Sequence, residues 1–290
     1  MSFRIVLPSL LLLAAAGVAQ KPTFEWQKRS ATIDYGSVPV GKHSLAELPV
    51  GQGWRLGANQ TTVLRLLMPA IVGDAVLAPG AYAVQLQRTA EATCALVATG
   101  SDVRIEGPLG KAAKPGKKLV IDWLKDGAAK TGNQPAKVVV QFGENEWSGA
   151  VTFPGNKTAA VGAWKLAVFS LPTALLEARD KKPVPVASLS KSDDEGFNLV
   201  LGKDEVRLVP WSQASTGGGG GGGAGAAPPA GSEGTTGTVE PLEIKVPTAH
   251  EVVEHLSAKA AKGEIVVEIA FGKEGLRLTV PEPKAQKGGK

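Results

Sequence analysis

The chain of 290 residues is poor in the side chains that most often carry chemistry. It has one cysteine and three histidines. A lone Cys94 excludes a disulfide framework within the chain. It lies in the alternating apolar stretch "ATCALVAT", with no histidine near it in sequence, which fits a buried inert thiol rather than a nucleophile. The three histidines, His43, His250 and His255, leave little material for imidazole acid–base work or for a His-rich metal site. No G-x-S-x-G elbow is present. The carboxylate groups Asp193-Asp194-Glu195 and Glu144/Glu146 fall in turn sequences, where solvation is the rule. The sequence therefore offers no catalytic residue, no metal-ligand set and no cofactor motif.

The net charge is small, +5 for the whole chain. Lys and Arg number 32 against 27 Asp and Glu. The basic runs "GKAAKPGKK" (110–118) and "KAQKGGK" at the end carry no interleaved aromatics, and this argues against nucleic acid as a partner. Beyond the first twenty residues no apolar run approaches the length of a membrane-spanning helix.

The first residues have a meaning of their own. "MSFRIVLPSLLLLAAAGVAQ" combines Arg4, an apolar run from Ile5 to Ala16, and the small residues Gly17 and Ala19 at the −3 and −1 positions of a cut before Gln20. Residues 1–19 read as a secretory signal peptide, because the run is short for a membrane span. No cysteine follows to take a lipid. The expectation is an exported protein, periplasmic or extracellular, with no integral membrane segment once the leader is gone.

What the chain has in abundance is glycine, 36, and proline, 20. Both punctuate short strands. "TTVLRLLM", "AYAVQLQR", "KLVIDWL", "KVVVQF", "AVTF", "WKLAVF" and "EVRLVPW" are rich in β-branched and aromatic residues, separated by turn sequences such as "APG", "KPGK" and "FPGN". In "VLAPGAYAV", Pro79-Gly80 suits a type II turn between a strand ending near Leu77 and one starting near Ala81. "PTALLEAR" (172–179) is the one helical pattern in this part. Residues 25–211 are expected to form a main β-sandwich-like domain. Residues 212–239, "SQASTGGGGGGGAGAAPPAGSEGTTGTV", have almost nothing to bury and read as a disordered Gly-rich linker.

After the linker, residues 240–281 read as a small α+β segment able to dock on the main domain. Thr248 and Glu251 have the spacing of a capping box, and Val252, Val253, Leu256 and Ala260 share a helical face. This predicts a helix over 249–262, followed by the strands "GEIVVEIAF" and "GLRLTV". Residues 282–290 form a basic disordered tail. "VVVQFGENEWSGAVTF", "FNLVLGKDEVRLVPW" and "VVEIAFGKEGLRLTV" echo one another as strand, Gly with charges, strand, which is the chemistry of three hairpins.

Two motif matches fail on inspection. "GSVPVGKHS" (36–44) begins like a phosphate-binding loop, but His43 stands where a Ser or Thr would meet magnesium, and no buried strand precedes it. "HEVVEH" (250–255) places its histidines five apart, so on a helix they would point apart. The six tryptophans stand singly at strand positions, as core or rim residues do; a sugar-stacking platform is the alternative.

"WRLGAN" (54–59) is the most specific stretch. Gly57 can take backbone angles closed to other residues, and Asn59 tolerates the left-handed region. Arg55 offers a fork of five donors that Trp54 could shield from water. Arg55 could pair with Asp34 of "ATIDYG" and lock two strands together. Alternatively, Arg55 and Asn59 line a pocket for an anionic or polar ligand. The residues favour the structural reading. Trp54, Arg55, Gly57, Asn59, Thr62, Asp34 and Tyr35 are the candidate ligand-binding residues.

The stretch from Ala31 to Leu86 resembles the exported bacterial family catalogued as domain of unknown function 2911. The resemblance is carried by Ile33-Asp34-Tyr35, by Trp54, Arg55, Gly57, Ala58, Asn59 and Thr62, and by Leu77, Pro79, Gly80 and Tyr82. Ala78 stands before Pro79 where the family pattern tends to have Ala after Pro. The match is specific over residues 30–90 and loose over 91–211. It implies an exported, mostly β domain and no particular activity. The functional expectation is a non-enzymatic binding or structural module of the envelope, with a small molecule, a glycan or another envelope component as partner. The alternatives are a hydrolase-like enzyme using Arg55 and Asp34, and a carbohydrate-binding module.

Overall fold

The computed structural model describes residues 19–41, 44–129, 132–161, 164–202, 206–214, 253–261, 264–271 and 274–281. Residues 1–18 of the expected signal peptide, most of the Gly-rich stretch and the C-terminal tail lie outside them. Among the described residues the protein is mostly β, every strand pairing is antiparallel, and no helix is long and apolar enough to cross a membrane.

The first sheet opens with β1 (Ala19–Gln20), β2 (Thr23–Trp26) and β3 (Arg29–Gly36). Gln27 and Lys28 join β2 to β3 at φ of 46° and 64°, the left-handed pair that a two-residue hairpin turn requires. Four short strands follow: β4 (Gly53–Trp54), β5 (Val63–Leu66), β6 (Ala70–Val72) and β7 (Ala75–Leu77). The long strands are β8 (Gly80–Ala90), β9 (Thr93–Ala98), β10 (Arg104–Lys111), β11 (Val120–Lys125), β12 (Gln134–Phe142) and β13 (Asn145–Phe153). The main path runs β1-β3-β5-β8-β9-β10-β13-β12-β11.

This sheet curls until its ends meet. Leu119 N–H donates to the Val38 carbonyl at 2.7 Å and Val40 N–H to the Lys117 carbonyl at 2.9 Å. Tyr35 reinforces the seam from inside. Its hydroxyl donates to Gln20 Oε1 at 2.7 Å and accepts from Ile121 N–H at 3.0 Å. Phe24 stacks on Phe153 with ring centroids 4.8 Å apart, and Trp123 tilts against both. The curl thus wraps one apolar core, as expected of a sandwich-like domain.

A second sheet is a meander of β14 (Gly155–Val161), β15 (Trp164–Ser170), β16 (Val184–Ser190), β17 (Gly196–Leu201) and β18 (Val206–Pro210). The short helix α1 (Thr173–Glu177), with Pro172 as its N-cap, links β15 to β16, as the sequence predicts. Ala167 and Phe169 join the core of the first sheet. Asn198 ties the two sheets at a buried point: its Nδ2 donates to the Pro79 carbonyl at 2.9 Å and its Oδ1 accepts from Trp211 Nε1 at 3.0 Å. Pro79-Gly80 does connect a strand ending at Leu77 to one starting beside Ala81, but not as a plain hairpin. Gly80 has φ of 152°, and a side chain there would meet the Ser212 backbone nitrogen at 3.0 Å.

The third sheet holds β19 (Val253–Ala261), β20 (Glu264–Phe271) and β21 (Glu274–Pro281). The helix expected over 249–262 is corrected over its described part: residues 253–261 are a strand, so the described part of the C-terminal segment is all β, not α+β. The capping residues Thr248 and Glu251 lie outside the described residues. Leu256, Ala258 and Ala260 also alternate, and pairing them with Ile269, Val267 and Ile265 satisfies the backbone along the strand. Such non-local pairing overrides a weak helical pattern. The three echoed sequences are hairpins, β12–β13, β17–β18 and β20–β21.

Candidate functional site

"WRLGAN" folds against the end of β3. Leu56, Gly57 and Asn59 all have positive φ, at 51°, 121° and 65°. For leucine this region costs about 1–2 kcal/mol, so the surroundings must hold it there. Two contacts do so. The Thr62 hydroxyl donates to the Leu56 carbonyl, while the Thr62 carbonyl accepts from Val84 N–H at 2.9 Å. The loop backbone also rests directly on Gly36. A Cβ added at Gly36 would lie 2.1 Å from the Ala58 carbonyl oxygen, and one added at Gly57 would lie 3.1 Å from the Gly36 carbonyl oxygen. The glycines of "IDYG" and "WRLGAN" are thus two sides of one backbone contact. Leu56 and Thr62 are fully buried beneath it.

Arg55 takes no part in this lock. It is exposed, and no hydrogen bond or ion pair ties it to another described residue. The expected pairing of Arg55 with Asp34 is therefore corrected. Asp34 Oδ2 pairs with Arg65 Nη1 at 3.1 Å, and Arg65 Nε reaches Asp194 Oδ1 at 2.9 Å, joining β3 and β5 to the β16–β17 turn. The physical reason is register. β5 pairs with β3 so that Arg65 stands opposite Thr32, one diagonal step from Asp34.

The site residues thus divide. Asp34, Tyr35, Gly57 and Thr62 sit in the fold's own hydrogen bonds and contacts. Asn59 is exposed at the loop tip. Trp54 turns elsewhere. Its ring packs on Phe142 with centroids 5.1 Å apart and lines a cleft of about 460 Å³ with Val38, Leu45, Leu48 and Pro49. None of the other six candidate residues lines this cleft. Among the described residues, Glu47 is the one ionisable side chain on its wall.

The cleft wall is held by an arginine that sequence reasoning passed over. Arg88 lies at a bulge in β8. Its guanidinium donates to the carbonyls of Ala46, Leu48 (2.8 Å), Ala90 (3.2 Å) and Glu91. A planar fork of five donors can serve several carbonyls at once. Ser44 and Glu47 close a capping box around the 3-10 turn Leu45–Glu47, with Ser44 N–H donating to Glu47 Oε2 at 3.2 Å. The fit of Phe142 depends on a partner more than eighty residues away in sequence, so no local pattern announced it.

The remaining candidates for chemistry are quiet. Burial raises the Cys94 thiol, with a smaller opposing effect from Arg88. Burial pushes the Tyr82 phenol up to about 12, and its hydroxyl donates to the Ala78 carbonyl at 2.8 Å. Among the described residues no group of three His, Cys, Asp or Glu side chains can hold a metal ion. Trp123, Trp147, Trp164 and Trp211 are buried, which leaves Trp26 and Trp54 half-buried and rules out a six-tryptophan stacking platform. No protein-family model, curated protein or solved structure matches the chain, so the family resemblance rests on the residues that carry it.

Proposed function

We propose that this is an exported, non-enzymatic binding module of the bacterial envelope, related to the family it resembles, and that it holds a small apolar molecule or acyl chain in the Trp54–Phe142 cleft. The leader-like first residues support export. The observation that carries the binding reading is the cleft itself. It is apolar, of ligand-pocket size, and walled by a segment that Arg88 and a capping box fix in place. A hydrolase built on Arg55 and Asp34 has less support, because Asp34 is engaged by Arg65 and Arg55 stands free of it.

Native mass spectrometry of the mature protein with palmitate tests the proposal. A single one-to-one adduct is expected for the parent protein and none for Leu48→Asp, which sets a charge on the cleft wall. No adduct with the parent, or an equal adduct with the variant, would overturn it.

A further inference from the structure

The second sheet has two apolar faces, and the shared core accounts for one and, on the other, only for the end at Val184 and Leu201. Ala167 and Phe169 face that core. The alternate residues of β15 form cross-strand rows on the other face. Leu166 stands beside Leu189, which stands beside Phe197; Val168 stands beside Ala187, which stands beside Leu199. Trp164 meets Phe197 with ring centroids 5.8 Å apart. Trp164, Leu166, Val168, Leu189 and Leu199 are all buried, yet none belongs to the core that the first two sheets share. Some other part of the chain covers them.

The third sheet has the matching pattern. Its register sets Leu256 beside Ile269 and Leu276, Ala258 beside Val267 and Leu278, and Ala260 beside Ile265 and Val280. All nine positions share one face, by the two-residue period of a strand, and all nine are apolar. On the opposite face Ser257 stands beside Glu268 and Arg277, and Lys259 beside Val266 and Thr279. A lone three-stranded sheet with one apolar face has to bury that face against another layer. The backbone of β19 lies alongside β14, the edge strand of the second sheet.

We infer that the outer face of the second sheet is a docking surface for the chain's own C-terminal sheet. β19 runs along the β14 edge, and from that edge β19–β21 fold over the face, apolar side inward. Residues 215–252 join the two layers, and a Gly-rich chain of that length reaches roughly 35 Å, ample for docking within one molecule. The polar face with Lys259, Glu268 and Arg277 becomes the outside of the protein.

The test uses the full chain with a protease recognition sequence inserted after Gly223. After cleavage, the two pieces of the parent protein are expected to leave a gel-filtration column together at the volume of the uncut monomer. In the double variant Val267→Asp, Ile269→Asp of the same chain they are expected to separate, with a several-fold rise in the fluorescence of an added apolar dye. Separation of the parent's pieces on cleavage would overturn the inference, as would co-elution in the double variant. A parent protein that elutes as a dimer before and after cleavage would also overturn it, since the cover would then come from a second copy.

Discussion

Replacing Gly36 by Ala puts the structural role of "WRLGAN" at risk in the sharpest way. The new methyl carbon would lie 2.1 Å from the Ala58 carbonyl oxygen, far inside contact distance, and both groups belong to backbone. No side chain can swing aside to relieve the clash. The loop must move, and with it Leu56 and Gly57, whose positive φ angles depend on their present neighbours. Overpacking of this kind costs about 1–3 kcal/mol, and a clash of backbone on backbone belongs at the upper end. For a fold of this size about 3 kcal/mol corresponds to a fall in Tm of roughly 6–12 °C. Arg55→Ala, two residues before Gly57, removes an exposed side chain with no partner among the described residues, so its effect should stay within about 0.5 kcal/mol, or under about 2 °C. Thermal melts followed by circular dichroism, in one buffer, compare the two directly. If Gly36→Ala melts with the parent protein, or if Arg55→Ala is as damaging as Gly36→Ala, the backbone-lock account fails.

Other expectations follow from buried groups. The chain has only two tyrosines, and burial raises both phenols. Absorbance at the phenolate band should therefore show less than the half-ionisation that ordinary tyrosines reach at about pH 10. Because the folded Tyr82 value is the higher one, its stabilising contribution is complete below about pH 10 and is lost as the pH rises toward about 12. A folded protein with half or more of the full phenolate signal at about pH 10 would contradict the placement of Tyr35 and Tyr82. Cys94 should resist a thiol reagent in the native state and react at once in denaturant; equal rates would contradict its burial. Asp34→Asn should lower stability by about 1 kcal/mol, since the pair is half-buried and Arg65 keeps Asp194. A urea midpoint unchanged by that substitution, but lowered by Arg65→Gln, would assign the stabilisation to Asp194 instead.

The sequence made much of this fold legible, for physical reasons that also mark where it stopped. "KVVVQF" announces a strand that buries one face, and "WKLAVF" is a short apolar run that buries both. β10, "RIEGPLGK", carries Gly107 and Pro108, which argue against a strand. Gly107 is needed there because a Cβ would fall 1.8 Å from the Ser148 carbonyl oxygen of β13. β19 misled in the other direction, its residues fitting a helical face until pairing with β20 decided the matter. At the candidate site, "WRLGAN" was visible as special, and its glycine did prove to serve a close backbone approach. The choice of arginine partner was not legible. Asp34 could meet Arg55 or Arg65, and only the register of β3 on β5 selects Arg65. The cleft was hidden for the same reason, since Trp54, Phe142 and the 38–49 segment come together only when the first sheet closes on itself.

The central claim is that ligand binding belongs to the Trp54 cleft and that the rest of "WRLGAN" serves the fold. A fluorescence titration with N-phenylnaphthylamine, an apolar probe that brightens when sheltered from water, tests it on two adjacent residues. The parent protein and Arg55→Ala are predicted to bind the probe at one saturable site with the same affinity, and Trp54→Ala to weaken binding by at least about tenfold, the loss of about 1.4 kcal/mol of contact. Equal binding by Trp54→Ala, or binding abolished by Arg55→Ala, would contradict the account and move the site to the loop.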